Sequence, residues 1–575
     1  MVITLLIWLY MLVISYILGV SLLNIVCRDS LDGIKHETTY VWAGISILIV
    51  YAQIWSLFGK VGLWANLILI VSCALIVIIQ YRRMLSKLRE ILIWTKPSRF
   101  VVIGILIILF AYGTSHGIMH YDSDLYHAQS IRWIEEYGVV PGLGNIHSRL
   151  AYNSSSFALT ALFSMSFLGG QSYHVCTGFM ALLVAINCID LFKKDEILEP
   201  KLSNMVRIVA IYYLLMIFDE MVAPASDYFM VLMTIELVLS YTELMERRIE
   251  SLKIDTSLFA LLSLLGLVIL TVKISGAVVV LVAAYPVYLY LKEKDIRSIL
   301  KYVLMGIVVV LPFIIRNVIL SGYLVYPFPS IDIFNFDFKI PKGMAEYDAK
   351  EIQVWGRGYS DVLRFDEPMS KWLPDWFGNL DIIDKAAFLL AVTGLLVVAA
   401  LIIYYLVKKA YFVFPQLLIV MVIDASFVFW LMTSPNLRYG CIFLYLAPVL
   451  TWGYVYSRLG IRIDRGMVFK IAMILFLLYK GGMFVNETAH DFLRIKDSGN
   501  LATYAMRQQD YGKYDVIAYD IRTGEEVDGD GEYVFYHPAL GDQIGYEAFP
   551  GTVVKPDVKL RGERIKEGFV SGGKY

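Results

Sequence analysis

Fifteen stretches of this chain are apolar for close to the length that a helix needs to cross a bilayer, about 20 residues. They lie near 1–26, 39–58, 61–80, 100–118, 151–168, 172–192, 205–222, 228–244, 257–273, 275–291, 301–320, 386–407, 411–432, 439–457 and 467–485. No water-soluble fold has an interior large enough for so many. Composition agrees: only 18% of the 575 residues are charged, against roughly 25% in soluble domains. Lys and Arg number 50 and Asp and Glu 51, which excludes a basic nucleic-acid binder. The five cysteines form no C-x-x-C pair, so neither a disulfide framework nor a zinc cluster is indicated. The chain reads as an all-α polytopic membrane protein.

The stretch 257–291 would reach about 52 Å as one helix, too long for a hydrocarbon core of roughly 30 Å. It must fold back, and Lys273-Ile274-Ser275-Gly276 is the predicted turn. Loop charges predict the orientation. One set of short connections carries 25 basic residues, among them Arg28, Lys35, Arg82, Arg83, Lys193, Lys194, Lys253 and Arg462. The intervening set carries five: Lys60, Arg132, Arg149, Lys273 and Arg438. The first set is therefore expected in the cytoplasm, and the alternation closes only if 151–168 does not cross. That run is read as a juxtamembrane or re-entrant helix, which leaves about 14 spans.

Residues 1–485 then form the transmembrane domain, with outer loops at 119–150 and 321–385, and 486–575 form an extracytoplasmic tail. The tail is polar and contains strand-like stretches at Val516–Tyr519 and Tyr533–Tyr536, which predict a small α/β or β-rich unit against the long loop. The pair Gly142 and Gly144 follows no strand and reads as a loop turn.

Ionisable groups at membrane depth are costly, so each is a functional candidate. Nearly all the unusual ones are expected at the outer ends of spans. The densest cluster runs from His116 and His120 through Asp122, Asp124 and His127. An Asp there could take a proton from a hydroxyl, or Asp122 and Asp124 could ligate a divalent cation such as Mg or Mn. Alternatively either caps the helix Leu125–Tyr137, whose pattern reads as amphipathic and surface-lying. A second acidic group, Asp219, Glu220 and Asp227, flanks Pro224. Adjacent acids at a span end need a partner, and Lys273, Arg316 beside Asn317, and Arg438 stand at the same predicted depth. Cations facing a cavity suit a phosphate.

Several segments carry a resemblance. They are Tyr121-Asp122-Ser123-Asp124-Leu125-Tyr126-His127 with Arg132-Trp133, Tyr137 to Asn145, Tyr152-Asn153-Ser154-Ser155, Arg316-Asn317 with Tyr326-Pro327, and Ser434-Pro435-Asn436-Leu437-Arg438-Tyr439. Together they resemble the GT-C superfamily of polytopic glycosyltransferases, and more nearly a family of bacterial membrane proteins met among cell-surface polysaccharide genes. The resemblance implies a GT-C-like fold in a bacterial inner membrane, with its site on the outer side. It implies a polyprenyl-phosphate-linked sugar as donor and a glycan or lipid acceptor among membrane lipids. By position the base or metal-binding acid would be Asp122 or Asp124. The second acidic position would fall on Asp219, Glu220 or Asp227 and the lipid-phosphate contact on Arg316 or Arg438, with His127, Lys273 and Asn317 as further substrate-binding candidates. No W-W-D-x-G motif is present, so transfer to protein asparagine is not implied. A polysaccharide polymerase or ligase, and a lipid or saccharide flippase, are the competing readings.

Overall fold

The computed structural model describes residues 1–27, 36–94, 96–192, 201–249, 255–410, 413–458 and 465–573. Of the loop charges that set the predicted orientation, Arg28, Lys35, Lys193, Lys194, Lys253 and Arg462 lie outside the described residues.

Ten helices among the described residues are long and apolar enough to span a membrane: Val2–Val26, Thr38–Phe58, Leu63–Arg89, Pro97–Ser115, Ser226–Arg248, Ile274–Lys292, Ile296–Ser321, Ile382–Val407, Phe414–Thr433 and Leu437–Arg458. The protein is thus a polytopic helical membrane protein, with ten supported spans where the apolar runs suggested about fourteen. Three of the missing runs form shorter helices, Cys176–Phe192, Leu202–Met216 and Thr256–Val272. Their ends are spent on other backbone. Residues 171–175 are non-helical before Cys176, and Phe218–Glu220 turns as a 3-10 helix after Met216. The run 467–485 lies inside the helix Arg465–Asp497, so helix continues into what the sequence assigned to the tail. The run 151–168 is a nine-residue helix, Ser155–Phe163, about 14 Å long and wholly buried, which agrees with its not crossing.

The predicted hairpin is present. The helix Thr256–Val272 stops at Lys273, whose backbone is extended, and the chain returns through a 3-10 segment, Ile274–Ala283, into Ala284–Lys292. Its limbs run antiparallel: the Ser257 and Tyr290 hydroxyls are 3.4 Å apart at the open end, and Gly276 lies against Ile269 near the tip.

At the bundle centre stands Ser226–Ile249, whose residues from Phe229 to Met233 are completely buried. It packs against Cys176–Cys188, Leu202–Met216, Thr256–Val272, Phe414–Thr433 and Leu437–Arg458. Here the expectation that unusual charges collect at one edge fails. Glu236, midway along this helix, is buried and accepts hydrogen bonds from Asn187 Nδ2 at 2.7 Å and Ser240 Oγ at 2.9 Å. Glu243 meets His36 at 2.9 Å and pairs with Arg207. Asp424 is buried in Phe414–Thr433 against the Thr451 hydroxyl at 3.2 Å. Single charges inside apolar windows of about 20 residues leave the window apolar, which is why the pattern hid them.

The tail carries two antiparallel pairs, β1 (Val516–Asp520) with β2 (Val534–Pro538) and β3 (Val558–Leu560) with β4 (Phe569–Ser571). It touches the long loop, where Arg561 pairs with Asp337 at 2.7 Å. Its larger footing is the first loop. Gln129 Nε2 donates to the Gly545 and Ala548 carbonyls at 2.9 and 3.0 Å, and Arg132 Nη1 to the Tyr546 carbonyl at 2.6 Å. The Tyr546 hydroxyl donates to Glu135 at 2.5 Å. The helix Ala128–Glu136 is therefore not surface-lying: Ile131, Trp133 and Ile134 are all buried, partly beneath the tail. Its apolar stripe faces protein, a choice that hydrophobic periodicity alone does not make.

Candidate functional site

A cavity of ≈ 550 Å³ opens where the hairpin tip, the start of Leu437–Arg458 and the long loop meet. Its polar wall carries Lys273 and Arg438, with Asn153, Thr271, Ser275 and Asn317. Its other surfaces are apolar or aromatic, including Phe313, Phe429, Met432, Tyr126, Tyr152 and Tyr439. The long loop supplies the roof. Tyr326–Pro329 and Phe365 hang over the cavity, and the helix Lys342–Gly356 turns Glu346, Lys350 and Gln353 toward it.

Four separated segments assemble the charged end. Pro224 keeps the chain from continuing as helix, and Asp227 falls in the first turn of the next one. The Ser434-Pro435-Asn436 break does the same for Arg438, whose N–H donates to Asn436 Oδ1 at 3.0 Å. Lys273 is placed by the hairpin turn. Asp122 sits just before a single π-helical turn, Ser123–His127, an irregularity frequent at functional sites. The Asp122 side chain makes no capping bond to the helix that follows.

Arg438 Nη2 donates to Asp122 Oδ2 at 2.7 Å, and its Nη1 donates to His120 Nε2 at 2.6 Å. Its Nε lies 3.4 Å from Asp227 Oδ2. The other Asp227 oxygen accepts from Lys273 Nζ. Lys273 also lies 4.1 Å from the centre of the Tyr439 ring, favourable for a cation over an aromatic face. Burial first, and then the neighbouring Arg438, hold His120 below the ordinary histidine range, so it stays the neutral acceptor of that cation. Two carboxylates and two cations thus balance. The Asp122 side chain is 14% exposed and that of Asp227 only 4%, so Asp122 is the more accessible of the two acids, standing behind Arg438 rather than on the cavity lining itself.

Of the residues picked out in the sequence, Asp122, Asp227, Lys273 and Arg438 come together, with Asn317 on the same cavity wall. The rest are placed differently. Asp124 points the other way, accepting Gly512 N–H and the Tyr514 hydroxyl, each at 3.0 Å. Burial pushes its carboxyl upward, and those two donors oppose the shift. His127 is buried behind His120, its ring centre 6.4 Å away, and burial keeps it far below the usual histidine range. Arg316 does not line the cavity. It is buried and donates to Asn153 Oδ1 at 2.8 Å and to Ser56 Oγ. Asp219 and Glu220 do not meet these cations. Glu220 accepts from the Tyr228 hydroxyl. Asp219 lines a separate ≈ 310 Å³ pocket with His490, Asp491 and Arg494, where burial and then Asp491 raise its pKa. The predicted cation partners therefore belong to Asp122 and Asp227. Among the described residues no group of three or more His, Cys, Asp or Glu is arranged to hold a metal ion. Asp122 and Asp124 in particular are engaged on opposite sides, so the residues do not fit the expected Mg or Mn site.

The sequence reading has the 321–385 loop as the roof of the site, and that loop does line the cavity, but it singles out none of the roof residues and gives His120 no role. His120 had a usable signal, lying two residues before Asp122 in the densest polar cluster. For Glu346, Lys350 and Gln353 the signal was a spacing of four and then three, one face of a helix.

A family model described as a domain of unknown function, DUF8201, matches residues 1–445, which hold the whole charged cluster. No curated protein and no solved structure matches the chain.

Proposed function

Since the chain belongs to the DUF8201 family, whose description carries no activity, we propose from the site itself that it is a membrane glycosyltransferase. It moves a sugar from a polyprenyl-phosphate or polyprenyl-pyrophosphate donor to a glycan or lipid acceptor, in a GT-C-like scaffold of a bacterial inner membrane. The observation that carries this reading is an amphipathic, roofed cavity with Lys273 and Arg438 on its wall and Asp122 bonded to that wall. The apolar flank suits a hydrocarbon chain and the cations suit its phosphate. The 25-to-5 bias of loop charges supports a site on the outer face.

In the reaction the acceptor hydroxyl oxygen attacks the anomeric carbon while Asp122 takes its proton. The bond from that carbon to the phosphate oxygen breaks, and the phosphate leaves with the electron pair. Arg438 and Lys273 stabilise the charge that develops there. A single displacement of this kind inverts the anomeric centre.

The test uses the purified full-length chain with a panel of polyprenyl-phosphate-linked sugars, reading release of polyprenyl phosphate. Wild type should turn over at least one donor in the presence of acceptor, and Asp122→Asn and Arg438→Gln should each lose at least about 100-fold, the lower range for losing a general base in the first and a charge-stabilising donor in the second. Folded variants with unchanged turnover would sink the proposal.

A flippase is the second reading, and the buried acids Glu236 and Asp424 within spans favour it, since intramembrane carboxylates mark ion pathways in transporters. It predicts donor movement between leaflets of proteoliposomes without release of polyprenyl phosphate.

A further inference from the structure

Resting on the glycosyltransferase reading, we infer that the Asp122–Arg438 ion pair is a self-occupied anion site, in which an arriving phosphate takes Arg438 away from Asp122 and so unmasks the base. The starting point is charge balance. Asp122 and Asp227 already neutralise Arg438 and Lys273, and His120 is neutral. A phosphate cannot enter as an additional anion without unbalancing a largely buried cluster, which is costly at low dielectric. One carboxylate has to give way.

The geometry decides which. Asp227 is 4% exposed, holds both cations, and is fixed on a rigid central helix. Releasing it would strand a buried charge. Asp122 is 14% exposed, makes one ion pair, and sits on the short stretch between Pro97–Ser115 and the π-helical turn. Water can solvate it once it is freed, and Arg149 lies close enough to interact with it electrostatically. The loop around it stays anchored, because Asp124 is held by Gly512 and Tyr514, and Tyr121 bonds Asp542 and Gln543. The exchange is therefore a side-chain movement. Its consequence is order: in the unoccupied site the exposed Asp122 carboxylate is engaged by the Arg438 guanidinium, and donor binding removes that hold and frees an oxygen to meet the acceptor hydroxyl.

Inorganic pyrophosphate is the probe, titrated calorimetrically into the full chain in nanodiscs. Removing the internal competitor in Asp122→Asn should tighten Kd about tenfold, the equivalent of 1.4 kcal/mol. Asp219→Asn removes a carboxylate near the same end of the bundle but in another pocket, and should leave Kd unchanged. Arg438→Gln should abolish binding. An Asp122→Asn Kd equal to or weaker than wild type overturns the exchange while leaving the anion contact standing. If folded wild type and Asp122→Asn both fail to bind, the glycosyltransferase reading loses its phosphate contact as well. Should Asp122→Asn not fold, carbodiimide labelling of wild type answers the same question. Pyrophosphate should raise labelling of Asp122 severalfold and not that of Asp124, and an unchanged Asp122 overturns the inference.

Discussion

Asp122 and Asp124 are two residues apart, yet the structure gives them separable jobs, so replacing each should produce a different defect. Asp124 is 4% exposed and accepts two hydrogen bonds from the tail, at 3.0 Å each. In Asp124→Ala the Gly512 N–H and the Tyr514 hydroxyl both lose their acceptor. An unsatisfied buried donor costs about 1–3 kcal/mol. Part of the two-donor total is recovered, because burial already disfavours the Asp124 carboxylate. Both donors are only part-buried and water can reach them once freed, so a net loss of about 2 kcal/mol follows, or roughly 30-fold more frequent opening of the segment around 512–514. Asp124→Asn retains an acceptor for Gly512, and the Tyr514 hydroxyl can rotate to accept from the new amide, so it should lose only about 1 kcal/mol. Asp122→Asn touches no tail residue and should leave the segment unchanged. Hydrogen exchange with mass spectrometry on the full chain in nanodiscs reads these differences peptide by peptide. Equal loosening of 512–514 by Asp122→Asn, or no loosening by Asp124→Ala, would refute the division between site acid and tail anchor.

Other outcomes follow from the same contacts. Arg438→Gln leaves Asp122 and Asp227 with Lys273 as the only cation they retain in the cluster, and should lower stability by about 2–4 kcal/mol in chemical denaturation. Adding Asp122→Asn should return about 1–2 kcal/mol of it, a coupling that additive behaviour would deny. His174 is completely buried and held down to about 4. Its folded pKa lies below its unfolded value of 6.5, so the unfolded chain binds the extra proton as pH falls from 6.5 toward 4. At pH 5 the folded state should be about 2 kcal/mol less stable on this account than at pH 7, and His174→Asn should flatten that slope in thermal unfolding. Gly142 has φ +65°, and a Cβ there would stand 2.2 Å from the Phe569 carbonyl. Gly142→Ala should therefore cost more than about 1 kcal/mol and raise exchange at β4. Asp348 holds the roof helix through the Tyr152 hydroxyl at 2.7 Å, so Asp348→Ala should raise exchange across 342–356, with the spans unaffected.

What the sequence made legible was whatever depends on neighbours along the chain. The fold-back at Lys273 follows from length alone, and the strand-like stretches at Val516–Tyr519 and Tyr533–Tyr536 became the edges of one hairpin. Pairings between distant segments were not legible. Nothing near Asp227 announces that Arg438 will reach it, and nothing in the amphipathic stretch after Asp124 announces that residues 545–549 will cover it. The difference between about fourteen apolar runs and ten helices of spanning length among the described residues has a related reason: apolar composition is shared by a long membrane span and by a shorter helix such as Leu202–Met216. The structure brings together the acids and cations beside helix breaks, where Pro224, Pro435 and the hairpin turn mark chain ends that converge. Arg316 lies apart from them, and its partners Asn153 and Ser56 are neutral and carry no pattern.

The central helix has a consequence for how the chain is made. Ser226–Ile249 carries Asp227, Glu236, Glu243 and, near its end, Glu246, a load that a lone helix in lipid accommodates poorly. Asn187 and Ser240 bond Glu236, while His36 and Arg207 hold Glu243. Apart from Ser240 on the helix itself, all of these precede it in the chain. During synthesis, then, the helix emerges into a membrane that already holds the receptors for its two inner acids. Asp227 alone waits for partners still to be translated, Lys273 and then Arg438. The charged site is in this sense the last joint to close, and its ion pairs mark the point at which the late segments have docked on the early ones.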